Sequence, residues 1–191
     1  FLTGSIHRPK RPHQPLSTHI NKRASIAVKE DPGYFDYWPY ENRPKIEWPN
    51  GAKVAFWVAP NIEFYELNPP ANPQRNPWPT PAPSLPGYTV RDWGNRVGHI
   101  RQMELLEKYG IRGSISLSTA LCDHHPEIIE LCKERNWEFF SHGIYNTRYT
   151  YGMSEDQERS MIRDSMETIY KHTGQKCAGY LAPALSHSDN T

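Results

Sequence analysis

The sequence predicts an α/β fold in which a parallel sheet is joined by right-handed crossover helices, open or curling into a barrel. Three observations carry this. Apolar or aromatic runs of strand length recur at residues 52–61, 113–119, 137–140 and 176–183. Between them stand segments with apolar residues at helical spacing. Those segments bring their own start and stop residues, with Asp92, Pro126 and Ser154 at the amino ends and Gly110, Asn136 and Gly174 at the carboxyl ends.

Residues 1–30 carry Arg8, Lys10, Arg11, Lys22, Arg23 and Lys29 with little apolar periodicity, which predicts a basic, flexible arm without a core of its own. Residues 31–191 form the folded region. In 31–49, prolines exclude a continuous helix, and Tyr34, Phe35, Tyr37, Trp38, Tyr40 and Trp48 call for packing against the domain body or a partner. Asn50-Gly51 turns into the first strand, 52–61, with Val54, Phe56 and Val58 as core positions and Pro60 as its end. Eight prolines then lie between Pro69 and Pro86 inclusive. A stiffened connection of that length, with Trp78 and Tyr88, predicts an ordered lid over a site.

Asp92 caps a helix carrying Val97, Ile100, Met103, Leu106 and Tyr109, which stops at Gly110. The second strand is 113–119. His124-His125-Pro126 opens a helix through Ile128, Ile129 and Cys132 that closes near Asn136. Adjacent histidines point apart, so capping and surface roles outweigh metal ligation for this pair. After the third strand, Ser154 and Gln157 form a capping box, and Ile162, Met166 and Ile169 line the next helix. The fourth strand is 176–183. About four strands leave a barrel half-built, which predicts that this is the amino-terminal part of a longer protein.

At 191 residues the chain is about one domain long. A net charge of +1 provides no overall field toward nucleic acid or an anionic membrane. No apolar run approaches the roughly 18 residues of a spanning helix. Cys122, Cys132 and Cys177 are scattered and odd in number, which suits reduced core residues and a cytoplasmic setting. The expected partner is a small-molecule or saccharide substrate, with no nucleic acid and no membrane, and a homo-oligomer left open.

The chemistry concentrates in 137–148, WEFFSHGIYNTR. A short aromatic strand there delivers His142 to its own carboxyl end, followed by Tyr145, Asn146 and Arg148. In sheets whose strands alternate with helices, catalytic groups gather at those ends. Asn61 and Glu63 lie just past the first strand, on the same expected rim. A carboxylate and an imidazole that converge can act as general base and acid, or as two metal ligands. A solvated loop carboxylate and a strand-capping histidine are the plain alternatives.

Three stretches carry a family resemblance: RDWGNRVGHIRQMELLEKYGIRGSISLS at 91–118, SHGIYNTRYTYGMSEDQE at 141–158 and GYLAPALS at 179–186. From about Trp48 to Thr191 the chain resembles the polysaccharide deacetylase (NodB-homology) superfamily, closest to the subgroup containing metal-independent allantoinases. The resemblance implies a distorted (β/α) barrel of NodB type. It also implies a hydrolase of non-peptide carbon–nitrogen bonds, acting on an N-acetylated sugar or a ureide ring amide. The alternative is a catalytically inactive saccharide-binding member of the same fold.

Where metal-dependent members have paired acids after strand one, this chain has Asn61 and Glu63. Where they have two histidines four apart, it has His142 and Asn146, and their arginine-and-proline motif meets Ala182-Pro183. The resulting expectation is catalytic Glu63 and His142, with Asn61, Trp93, Asn146, Arg148 and Pro183 binding substrate. No cofactor is expected, because Asn146 would be a weak zinc ligand. A divalent metal such as zinc is the alternative.

Overall fold

Three parallel strands form the sheet, in the order β1 (Asn61–Ile62), β2 (Ser114–Leu117), β3 (Glu138–Ser141). The structure is a computed structural model that describes residues 37–70 and 83–191. The basic arm, Tyr34 and Phe35, and the proline-rich segment 71–82 with Trp78 lie outside the described residues.

The chain divides into two units, Phe1–Glu47 and Trp48–Thr191. The described part of the first holds a 3₁₀ turn at Tyr40–Asn42, closed by Trp38 Nε1 donating to the Asn42 carbonyl (3.1 Å). Tyr37 and Tyr40 are exposed, contrary to the expectation that the aromatics here would pack.

In the second unit, Asn61 pairs with Ser116 and Ile62 with Leu117, while Ser116 and Leu117 pair with Phe140 and Ser141. The expected first strand is cut to two residues plus a single bridge, Val58 to Gly113. Pro60 does not end the ladder, since its carbonyl accepts from Ser116 N (3.0 Å), but it has no N–H to contribute, so one rung is missing. Residues before Val58 extend beyond the start of β2, and Val54, Phe56 and Trp57 are exposed rather than core. The expected fourth strand likewise reduces to one bridge, Ser141 to Tyr180. Pro183 and the 3₁₀ turn Pro183–Leu185 then carry the chain away from the sheet. The described residues therefore hold three strands, not four.

Helix α1 (Leu85–Trp93) runs through a π-helical turn, Gly94–Gly98, into α2 (His99–Lys108). It starts seven residues before the expected cap. Pro86, in its first turn, is pre-set for helix, and Asp92 sits inside it, paired with Arg96. Met103 and Leu106 are buried, but Tyr109 is exposed. Helix α3 (Leu121–His124) precedes α4 (Pro126–Glu134), which buries Ile128, Ile129 and Cys132. Asn136 follows with φ 53°, the left-handed stop expected of it. Neither histidine of the 124–125 pair caps α4 through its side chain. His124 instead stacks on Phe64, with ring centroids 4.1 Å apart.

Helix α5 (Glu155–Thr173) opens on the expected capping box. Ser154 Oγ accepts from Gln157 N (3.3 Å) and Gln157 Oε1 from Ser154 N (2.9 Å). Its buried residues are Glu158, Met161, Ser165 and Ile169, whereas Met166 is exposed. The shift by one residue lets Ser165 Oγ meet Ser141 Oγ at 2.7 Å beneath β3. The core joins Ile62, Phe64, Ile115, Leu117, Phe139 and Trp137 of the sheet region to Met103, Leu106, Ile129 and Ile169 of the helices. Trp137 lies so close to Gly113 that a Cβ there would meet its ring at 2.9 Å.

Candidate active site

One step beyond the last paired residues of the three strands come Glu63, Ser118 and His142. Backbone bonds carry the register that far: Ser118 N donates to the Ile62 carbonyl (3.0 Å) and His142 N to the Leu117 carbonyl (2.8 Å). Side chains alternate along strands, so these three project from the face opposite Ile62, Leu117 and Ser141. Glu63 and His142 meet across Ser118, with His142 Nε2 3.2 Å from Glu63 Oε1.

The imidazole is fixed from behind. His142 Nδ1 lies 2.6 Å from the Leu181 carbonyl, and a carbonyl only accepts, so Nδ1 carries a hydrogen. Nε2 is therefore the ring nitrogen that faces the carboxylate. The contact is close, though its angle departs from that of a well-aligned hydrogen bond. His142 is 3% exposed, whereas the Glu63 side chain is 25% exposed. Glu63 is the member of the pair that solvent reaches.

Glu63 gathers further donors. Asn61 Nδ2 donates to Oε1 (3.3 Å) and Asn146 Nδ2 to Oε2 (3.0 Å). Asn146 Nδ2 also donates to the Tyr65 hydroxyl. Burial, the largest single influence, pushes the Glu63 pKa upward, but the bond and charge of His142, with Tyr65 and Asn61, outweigh it and hold the carboxyl below its usual 4.5. His99 of α2 stands near enough to feel the Glu63 charge. Burial lowers its pKa, against the opposing influence of Gln102 and Glu63.

Asn61, Glu63, His142 and Asn146 are thus brought together as expected, and three expected residues are not in this network. The Arg148 guanidinium forks onto Glu66, Nε to Oε2 (3.1 Å) and Nη2 to Oε1 (2.7 Å), and lies over the Tyr145 ring. Thr147 Oγ1 adds a bond to Glu66 Oε2 (2.7 Å). Trp93 is exposed and lies beneath Arg101. Pro183 is buried, 3.1 Å from where a Cβ on Gly143 would stand, and so supports the turn after His142. Sequence reasoning missed Tyr65, Asn95 and Ser118. Extending the strand alignment one step would have found Ser118, whereas Tyr65 and Asn95 arrive from loop and helix with no sequence signal of their own.

The donor set suits zinc poorly. A catalytic zinc normally takes three nitrogen, sulfur or carboxylate ligands, and here the third place beside Glu63 and His142 falls to an amide. Among the described residues, no three histidine, cysteine or acidic side chains converge. Cys122 and Cys132 are poor nucleophiles, since burial pushes the Cys122 thiol up to about 11 and Cys132 up to about 12.

Together these features define an α/β protein whose polar cluster sits at the carboxyl rim of a parallel sheet. The chain belongs to the polysaccharide deacetylase family, which residues 92–191 match. A solved structure assigned as a polysaccharide deacetylase from Mycobacterium smegmatis is similar at 22% identity and TM-score 0.61, over 75% of this chain and 48% of that one. One from Pseudomonas aeruginosa PAO1 is similar at 22% identity and TM-score 0.61, over 73% and 50%. Puue allantoinase is similar at 20% identity and the same TM-score, over 79% and 51%. These likenesses support the fold, and the chain spans about half the length of those structures. No curated protein matches it.

Proposed function

We propose that the protein is a hydrolase of non-peptide carbon–nitrogen bonds, deacetylase-like or ureide-ring-opening, built on a (β/α) barrel of NodB type and related most nearly to the allantoinase-like subgroup. The observation that carries this reading is the Glu63–His142 pair at the strand ends, with Glu63 open to solvent. Water adds to the amide carbon, the carbon–nitrogen bond breaks, and the nitrogen leaves with a proton. Glu63 orients the water, takes its proton and passes it to the leaving nitrogen. His142, behind Glu63, holds the carboxylate in place and favours its ionised form. Asn61, the exposed amide of the cluster, is placed to hold the substrate carbonyl, where charge develops.

One observation favours a second reading, in which the protein binds a saccharide without turnover. His142, Tyr65 and Asn61 together hold the Glu63 pKa below its usual value, which weakens it as a base. Incubation with N-acetylated sugar oligomers, allantoin and related ureides separates the two. Hydrolase action releases acetate or opens a ring, and His142→Ala abolishes it. Saccharide binding without turnover across that panel overturns the hydrolase reading.

The weak third ligand leads us to propose further that activity is independent of zinc. About one equivalent of tightly held zinc, with activity lost on chelation and restored by the ion, would refute this.

A further inference from the structure

We propose that Asn95 is a positioning residue for Glu63, brought into place by the π-helical turn. The backbone around Glu63 is pinned by three successive carbonyls, each bound from a different element. The Ile62 carbonyl accepts from Ser118 N (3.0 Å), and the Phe64 carbonyl from Asn146 N (2.9 Å). The Glu63 carbonyl between them takes no backbone bond from the described residues, and Asn95 Nδ2 donates to it at 3.0 Å across 32 residues of sequence. With all three held, the peptide planes flanking Glu63 are fixed, and so is the direction in which its carboxylate leaves the chain.

The π turn is what makes this contact. Its wider loop buries Asn95 to 7% exposure, while Trp93 and Arg96 on either side remain exposed. Such turns inside α-helices occur frequently at functional sites. Asn95 is not an efficient residue for stability alone. Its Oδ1 is buried without a partner among the described residues, an arrangement that costs stability and offsets what the bond to the Glu63 carbonyl contributes. The residue therefore contributes the placement of Glu63 beyond whatever it contributes to folding.

This inference rests on the reading of Glu63 as the working carboxylate, yet its test needs no substrate. The ionisation of Glu63 is followed by carboxyl ¹³C NMR, with the resonance assigned through Glu63→Gln, alongside thermal melts. Asn95→Leu removes the donor and the orphaned oxygen together, and Asn95→Gln keeps the donor but lengthens it by one methylene. The expected result is a Glu63 proton affinity raised about tenfold in Asn95→Leu, with a melting temperature close to that of the wild type, because relief of the orphaned Oδ1 offsets the donor that the Glu63 carbonyl loses. In Asn95→Gln the titration shifts in the same direction with the fold intact. For any substrate turned over, kcat falls and KM changes little, as expected for a misplaced group.

An unchanged Glu63 titration in the folded variants, with a lowered melting temperature, would overturn the proposal and leave Asn95 a structural tie. Should Asn95→Leu fail to fold, an unchanged titration in Asn95→Gln overturns it equally. Failure of the wild type to hydrolyse the substrate panel would refute the hydrolase reading and leave this test standing.

Discussion

Replacing His142 by alanine breaks the pair on which the site is built, and the structure sets the size of the loss. The imidazole is 3% exposed, its Nδ1 satisfies the Leu181 carbonyl at 2.6 Å, and its Nε2 faces Glu63 at 3.2 Å. Removing one partner of a fully buried pair costs about 3–5 kcal/mol. Glu63 is a quarter exposed and keeps Asn61, Asn146 and Tyr65, so its share is smaller. The Leu181 carbonyl, left without a donor, accounts for about 1–3 kcal/mol. A total near 3 kcal/mol corresponds to a melting temperature lowered by about 6–12 °C for a domain of this size.

The effect has a pH signature. Because the folded Glu63 pKa lies below its ordinary 4.5, its ionisation stabilises the fold at pH above 4.5, and that contribution is lost as pH falls through the lowered value. In the variant, burial acts on Glu63 without the opposing bond and charge of His142, so its pKa rises. The stability gap between wild type and variant is therefore full at neutral pH and narrows below pH 4.5. Melts followed by circular dichroism between pH 7 and pH 3.5 check this. A loss under 2 °C at pH 7, or a gap that stays constant across that range, would refute the pairing argument.

Other consequences follow from contacts away from this pair. Arg148→Ala releases Glu66, and because the Arg148 side chain is nearly half exposed the cost is only about 1 kcal/mol, shrinking in high salt. Denaturant melts at low and high ionic strength measure it, and a salt-independent loss would argue against the fork. Gly113→Ala drives a methyl into the Trp137 ring, where the space is 2.9 Å, and destabilises by about 1–3 kcal/mol with a changed Trp137 emission. Ser154→Ala removes half of the α5 capping box and costs about 1 kcal/mol in urea unfolding, whereas Ser154→Asp retains the cap and most of the stability.

Local chemistry was legible in the sequence wherever a few neighbouring residues decide the outcome. The capping box at Ser154, the left-handed stop at Asn136, the end of α5 at Gly174 and the delivery of His142 by β3 all follow from side chains acting within one turn or one strand. The alternation of strand and helix, and with it the parallel sheet, followed from periodicity. So did the meeting of Glu63 and His142, since both lie just past strand ends.

Only the tertiary structure decided what depends on partners distant in sequence. Val54 and Phe56 alternate like a core strand, yet they are exposed because β2 does not extend far enough to pair with them. Arg148 is committed to Glu66, and Asn95 reaches Glu63 through a widened helical turn, because helix phase and loop path set those distances. The donor set around Glu63 is likewise a tertiary product. Burial alone would raise its pKa, and only convergence of His142, Tyr65 and Asn61 on one carboxylate reverses the direction. Periodicity fixes which face a residue takes, whereas charge and reactivity depend on what the packed fold sets opposite it.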